Sequence, residues 1–215
     1  MSCKQCIMLS MNIILKSLTV GPLATNVYIL SDKTTKQAVL IDPGADPDQI
    51  QAYIMQHHLT VTKILITHGH FDHIGAVATL SKAFSCPYFA YKGKYLKDPQ
   101  LNLSSRFPPE VKLFDAVYLS NLARISVSND CNLQLIATPG HTADSVIYYI
   151  DSLKLAFVGD TCFDGALGRT DLPGGDASQL KLSIENVIMQ LPEDTKLFPG
   201  HGPQTTVAAL KSWWV

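Results

Sequence analysis

The 215-residue chain has little charge, no paired pattern of cysteines and no long apolar run, and each shortage excludes something. No uninterrupted apolar stretch approaches the roughly 18 residues that cross a bilayer, so no membrane-spanning helix is expected. Lys and Arg number 17 against 18 Asp and Glu, a formal charge of -1. That balance lacks the basic excess of a protein that grips nucleic acid. The five cysteines, Cys3, Cys6, Cys86, Cys131 and Cys162, are odd in number and irregularly spaced. They argue against a disulfide framework and for a reducing, cytoplasmic setting. Cys3 and Cys6 form a Cys-x-x-Cys at the very N-terminus, with no strand before it. Residues 1–10 therefore read as a flexible tail, with Met11 an alternative to Met1 as the start. Ile7 to Leu15 lacks the small-residue cleavage site of a secretion signal, and its pattern runs on into a strand. Repeats and low-complexity segments are also missing.

What remains is the composition of a globular domain, 47% hydrophobic and 16% charged, long enough to close a full core as one unit over 1–215. Strands are expected at Ile13 to Val20, Asn26 to Leu30, Ala38 to Ile41, Ile64 to Ile66, Pro87 to Tyr91, Leu133 to Ala137, Ser145 to Ile150, Leu155 to Val158 and Lys196 to Phe198. Helices are expected at Pro47 to His58, capped by Asp46, at Gly75 to Phe84, from Asp176 to about Gln190, and at Thr205 to Trp213. Strand runs with helices between them predict an α/β fold of two sheets with helices outside.

The chemistry is concentrated in Thr67-His68-Gly69-His70-Phe71-Asp72-His73, directly after the apolar run Ile64-Leu65-Ile66. His68 and His70, two residues apart in extended or loop backbone, face the same side, while the adjacent Asp72 and His73 diverge and can serve a second centre. Imidazoles with a carboxylate and no cysteine are the donor set of a hydrolytic transition-metal site. Three later strands end in glycine followed by one such residue: Gly140-His141, Gly159-Asp160 and Gly200-His201. Counted against coordination chemistry, His68, His70 and His141 supply one metal with three imidazoles. Asp72, His73 and His201 supply a second, and Asp160 has the two oxygens to bridge them. Three protein ligands plus water make a catalytic rather than a structural site, and two metals about 3.5–4 Å apart can share a hydroxide. Only His57 and His58 of the seven histidines stay outside this set, as surface residues. The long polar stretch Lys92 to Glu110 reads as a lid, with Lys94, Tyr95 and Arg106 as candidate substrate contacts.

At these residues the chain resembles the metallo-β-lactamase fold superfamily, from Ala24-Thr25-Asn26-Val27-Tyr28 and Ile41-Asp42-Pro43-Gly44 through to Pro203. The resemblance implies a four-layer αββα sandwich with two divalent metals, zinc foremost and iron or manganese as alternatives, at one edge. It also implies that Asp42 orients a ligand instead of binding metal. The stretch Gly159 to Asp176, with Pro199-Gly200-His201-Gly202-Pro203, is most similar to glyoxalase II-like hydrolases of the short bacterial type. That likeness implies hydrolysis of a small-molecule thioester, S-lactoylglutathione or a related acyl thiol, by a metal-bridging hydroxide, with Asp72 and Asp160 in the chemistry. True β-lactamases of the fold carry cysteine where Asp160 stands. In full-length glyoxalase II a basic residue and a tyrosine bind glutathione; here Arg169 matches the first and Asp171 replaces the second. The appended glutathione-binding helical domain is not matched. Persulfide dioxygenases are similar too, and that likeness implies one iron on His68, His141 and Asp160.

Overall fold

The computed structural model describes residues 6–8, 12–107, 110–128 and 131–214. Met1, Cys3, Met11 and the Pro108-Pro109 step lie outside them.

The first sheet has seven strands in sequence order: β1 (Cys6–Met8), β2 (Ile13–Val20), β3 (Thr25–Asp32), β4 (Gln37–Ile41), β5 (Thr60–Leu65), β6 (Tyr88–Ala90) and β7 (Val117–Tyr118). Part of the expected N-terminal tail is thus a strand: β1 pairs antiparallel with β2, Ile7 opposite Leu15. The second sheet contains β8 (Arg124–Ser128), β9 (Cys131–Ala137), β10 (Val146–Ile150) and β11 (Leu155–Gly159). A hairpin of β12 (Cys162–Phe163) and β13 (Ala166–Leu167) follows, before β14 (Lys196–Pro199) and β15 (Thr205–Thr206) close the second sheet in the order β15-β14-β11-β10-β9-β8. The helices are α1 (Pro47–Gln56), α2 (Phe71–Ile74), α3 (Val77–Phe84), α4 (Lys94–Lys97), α5 (Ala177–Asn186) and α6 (Val207–Trp213).

Side-chain alternation along the strands sorts the core into three layers. On β3 and β4, Val27, Ile29, Ala38 and Leu40 pack outward against Ile50 and Ile54 of α1 and Val77 and Leu80 of α3. Their neighbours Tyr28, Leu30, Val39 and Ile41 face the second sheet, meeting Val146, Tyr148, Leu155 and Phe157. On the far face, Ile147, Ala156 and Val158 pack against Ile184 of α5 and Val207 and Leu210 of α6. The result is the expected αββα sandwich, in which each fully buried aliphatic contributes on the order of 2 kcal/mol.

Two local readings change. Asp46 stands at the N-cap of α1 with Pro47 next, as expected, but at φ 49 its side chain makes no capping bond and accepts the Gly21 amide at 2.8 Å instead, tying two turns together. Asp176 does cap α5, accepting from the Ser178 and Gln179 amides at 2.9 and 3.0 Å. The lid stretch is also pinned rather than loose. Asn102 is buried, its side chain donates to the Val111 carbonyl at 2.6 Å, and its own carbonyl accepts the Phe71 amide at 2.8 Å.

Candidate metal centre

Parallel pairing brings the functional ends together. β4 runs parallel to β5, so Asp42 and Thr67-His68 emerge side by side; β11 runs parallel to β14, so Asp160 and His201 do the same. The sheets are then laced at this edge. The Tyr148 hydroxyl donates to the Ile66 carbonyl at 2.9 Å, the Tyr28 hydroxyl donates to the Pro199 carbonyl at 2.6 Å, and the Asn26 amide donates to the Gly200 carbonyl at 2.7 Å. Glycine is required at 200, where a Cβ would collide with Asp160 Oδ1 and the His73 ring. All seven side chains singled out as candidate ligands meet here.

In the first group, His70 Nδ1 lies 3.1 Å from His68 Nε2 and 2.9 Å from His141 Nε2. In the second, Asp72 Oδ2 lies 3.5 Å from His73 Nε2 and 3.2 Å from His201 Nε2. The Asp160 carboxylate stands between them, with Oδ1 3.3 Å from His73 Nε2 and Oδ2 3.6 Å from His141 Nε2 and 3.5 Å from His201 Nε2.

The outer ring nitrogens decide where the protons are. A carboxylate or carbonyl oxygen can only accept. Nδ1 therefore carries the proton in His73 (3.0 Å to Asp42 Oδ2), His141 (2.8 Å to the Arg169 carbonyl) and His201 (3.0 Å to the Leu23 carbonyl). Thr67 Oγ1 spends its hydrogen on Asp42 Oδ2, so at 3.2 Å it accepts from His68 Nδ1. These four imidazoles thus direct Nε2, not Nδ1, at the centre. Three of the four buried polar side-chain atoms without a hydrogen-bond partner among the described residues belong to this cluster: His70 Nε2, His73 Nε2 and Asp160 Oδ1, the last two within ion-pair range of each other. Such a set fits divalent cations held by His68, His70 and His141 and by Asp72, His73 and His201, with Asp160 reaching both.

Electrostatics separates the two groups. Burial, reinforced by neighbouring imidazoles, pushes His68 well below its ordinary value and His70 down to about 3. Burial lowers His141 as well, leaving this trio neutral, the form that donates a lone pair. Burial pulls His73 down too, but Asp72, Asp160 and Asp42 outweigh it and hold the ring well above the usual range. Against the same burial, Asp160 and Asp72 lift His201 to about 10. The Asp160 carboxyl, which burial alone would raise, is held well below its ordinary value by His73 and His201. The second group is therefore a pocket of negative potential that attracts positive charge.

The candidate substrate contacts fare differently. A cleft of about 480 Å³ over the cluster is lined by the metal-edge side chains and by Leu23, Phe71, Arg106, Phe107 and Arg169 among others. Arg106 and Arg169 thus border it. Lys94 is exposed and is not among its lining residues. Tyr95 is buried, its ring centroid 6.4 Å from that of His70 and its hydroxyl donating to the Pro173 carbonyl at 3.1 Å. It braces the lid and the 168–176 loop behind His70 instead of lining the cleft. The Arg169 fork is engaged, Nε and Nη2 each 2.7 Å from an Asp171 oxygen.

Two participants escaped the sequence reading. Thr67 links Asp42 to His68, as described. Asp144 is buried, accepts the Thr142 hydroxyl at 2.6 Å and the Gly69 amide, and so clamps the backbone between His68 and His70. Its signal was an acid at the mouth of the apolar run Ser145 to Ile150.

Known proteins resemble this chain in sequence and fold. The family model of the metallo-beta-lactamase superfamily matches residues 20–201. The probable metallo-hydrolase YqgX of Bacillus subtilis is 36% identical over 89% of this chain and 92% of its own length. The hydroxyacylglutathione hydrolase GloC of Haemophilus influenzae is 32% identical over 82% of this chain and 85% of its own. Among solved structures, the BLEG-1 B3 metallo-beta-lactamase superposes with a TM-score of 0.86 at 38% identity, covering 92% of this chain and 96% of that one. TTHA1623 in a di-iron-bound form gives 0.80 at 32% identity, over 91% and 96%. ETHE1 from Myxococcus xanthus gives 0.75 at 30%, over 92% and 81%. A match that runs through every one of the seven convergent side chains places the chain in the metallo-β-lactamase superfamily, whose members are metallo-hydrolases.

Proposed function

We propose that this protein is a glyoxalase II-like thioester hydrolase acting, in a reducing cytoplasm, on S-lactoylglutathione or a related acyl thiol. The observation that carries the reading is the Asp160 carboxylate, standing 3.3 Å from His73 Nε2 and 3.6 Å from His141 Nε2 beneath an open cleft. The likeness to GloC supports the thioester, and the free, buried Cys86, Cys131 and Cys162 support the compartment. Divalent metal ions, zinc by donor type or iron or manganese, would be held by His68, His70 and His141 and by Asp72, His73 and His201, and would supply a water of lowered pKa and a Lewis acid for the thioester carbonyl. The chain's own residues do the rest. His68, His70 and His141 stay neutral, His68 and His141 fixed by their outer hydrogen bonds to Thr67 and the Arg169 carbonyl. The carboxylates of Asp72 and Asp160, held ionised at the cleft floor, accept a hydrogen bond from the attacking water and orient it, and its proton passes to solvent. The thiolate leaves without a general acid, since a thiol has a pKa near 8.5.

A persulfide dioxygenase-like oxygenase is the second reading. His68, His141 and Asp160 are the two-imidazole, one-carboxylate set that the resemblance would give a single iron, with Asp160 Oδ2 3.6 Å from His141 Nε2, and the likeness to ETHE1 supports this reading.

The deciding experiment measures metal content per chain with thiol release from S-lactoylglutathione, oxygen uptake with glutathione persulfide, and opening of a β-lactam as control. Thiol release that disappears on exhaustive chelation and in Asp160→Ala supports the hydrolase. Oxygen uptake without thiol release overturns it in favour of the oxygenase, and full activity after chelation overturns both.

A further inference from the structure

We infer that the preferred thioester carries, on one of its two arms, a flexible apolar chain ending in an anionic group, with the chain lying along Phe107 and Leu23 and the anion on Arg106. This rests on the thioester-hydrolase reading and, of the two substrate options named there, favours a related acyl thiol over S-lactoylglutathione.

Three observations converge. The cleft over the metal edge does not stop there. A second cleft of about 570 Å³ shares Leu23, Phe71, Asp72, Arg106 and Phe107 with it and continues past Val20, Ala45 and Val111. The two make one groove that starts at the cluster and becomes apolar with distance from it. Next, this groove exposes large hydrophobic surface. Leu23 is 47% and Phe107 49% exposed, and the Phe107 ring stacks on Phe71 with centroids 4.7 Å apart and planes 14° from parallel. Exposed apolar surface beside polar groups marks a binding site. Last, the cations are unequal. Arg169 is doubly bonded to Asp171, whereas Arg106 borders both clefts and makes no ion pair or side-chain hydrogen bond among the described residues. A peptide-like arm would press its amides against Phe71 and Phe107 without partners, which is unfavourable. A plain alkyl arm would fill the groove and leave Arg106 unused. An apolar arm with a terminal carboxylate satisfies both features.

The test uses full-length metal-loaded protein and thioesters from acetyl to octanoyl, each with a methyl and an ω-carboxyl end, placed first on the acyl and then on the thiol arm. On one arm, kcat/KM is expected to rise roughly three- to fourfold per methylene until the groove is full. The terminal carboxylate adds about tenfold. Arg106→Gln abolishes the carboxyl-over-methyl ratio, and Phe107→Ala flattens the chain-length slope. Calorimetry with octanedioate against octanoate reads the same preference without turnover, and octanedioate is expected to bind about tenfold more tightly. Flat series on both arms with equal binding of the two acids, or S-lactoylglutathione outrunning every member, overturns the inference while leaving the hydrolase reading intact. Binding preference without hydrolysis of any thioester upholds the groove assignment and overturns the hydrolase reading.

Discussion

The Asp42 carboxylate holds His73 by its outer nitrogen: Oδ2 and Nδ1 lie 3.0 Å apart and both side chains are buried. The same carboxylate accepts the Thr67 amide at 2.7 Å and the Thr67 hydroxyl at 2.5 Å. One residue thus sets a ring in the second group and, through Thr67, a ring in the first. Outer hydrogen bonds of this kind fix the tautomer and orientation of a ligand. Asp42→Asn is expected to weaken metal binding by about 10–100-fold, more at the site containing His73 than at the three-imidazole site. Competition with a chelator, followed for both equivalents, reads this; two unchanged affinities would remove the orienting role.

Asp144 carries a second prediction. Burial pushes its carboxyl from the ordinary 3.8 up to about 6. Between those values the folded protein binds a proton that the unfolded chain releases, so stability falls as pH rises from about 4 to about 6 and is level above that. The whole effect is about 3 kcal/mol. Asp144→Asn is expected to lose this fall, and the difference between wild-type and variant urea curves across the window isolates it. Parallel pH profiles for the two proteins would contradict the assignment.

Tyr148 joins the sheets where the His-rich loop begins, its hydroxyl donating to the Ile66 carbonyl at 2.9 Å from a fully buried position. Replacing it by phenylalanine keeps the packing and leaves a buried acceptor with one partner fewer. Tyr148→Phe is expected to cost about 1–2 kcal/mol in denaturant unfolding. A midpoint equal to wild type would show that the carbonyl finds another donor.

Asp171 and Arg169 are both largely exposed, so their ion pair adds little to stability. Its consequence is for binding, because it occupies the guanidinium fork beside the cleft. Asp171→Ala is expected to free Arg169 and lower KM for an anionic thioester about two- to fivefold at low salt, with kcat little changed. Steady-state kinetics at two salt concentrations decides it, and an unmoved KM would confine the pair to shaping the loop.

Much of this molecule is local enough to read from the chain. The alternation in β3, β4, β10 and β11 reports burial on both faces, because side chains point to opposite sides at every second residue. His68, His70, Asp72 and His73 lie within six residues, and the Gly-His and Gly-Asp pairs mark strand ends. The missed pieces were non-local or short. Two-residue strands such as β7, β12 and β15 leave no periodicity to detect. Tyr95 and Lys94 were placed by loop composition, which cannot say which side of a loop faces a cleft. Asp46 has the sequence of a helix cap, but a partner 25 residues away, the Gly21 amide, claims its carboxylate.

The order of residues along the chain, then, determined the donor types, their spacing and the strands that carry them, since those depend on neighbours in sequence. Only the tertiary structure decided which donors face one another, which ring nitrogen carries each proton, and which arginine is free to meet a ligand. Those depend on hydrogen bonds between segments as distant as Leu23 and His201, and no local pattern encodes a partner that arrives only when two sheets close on each other.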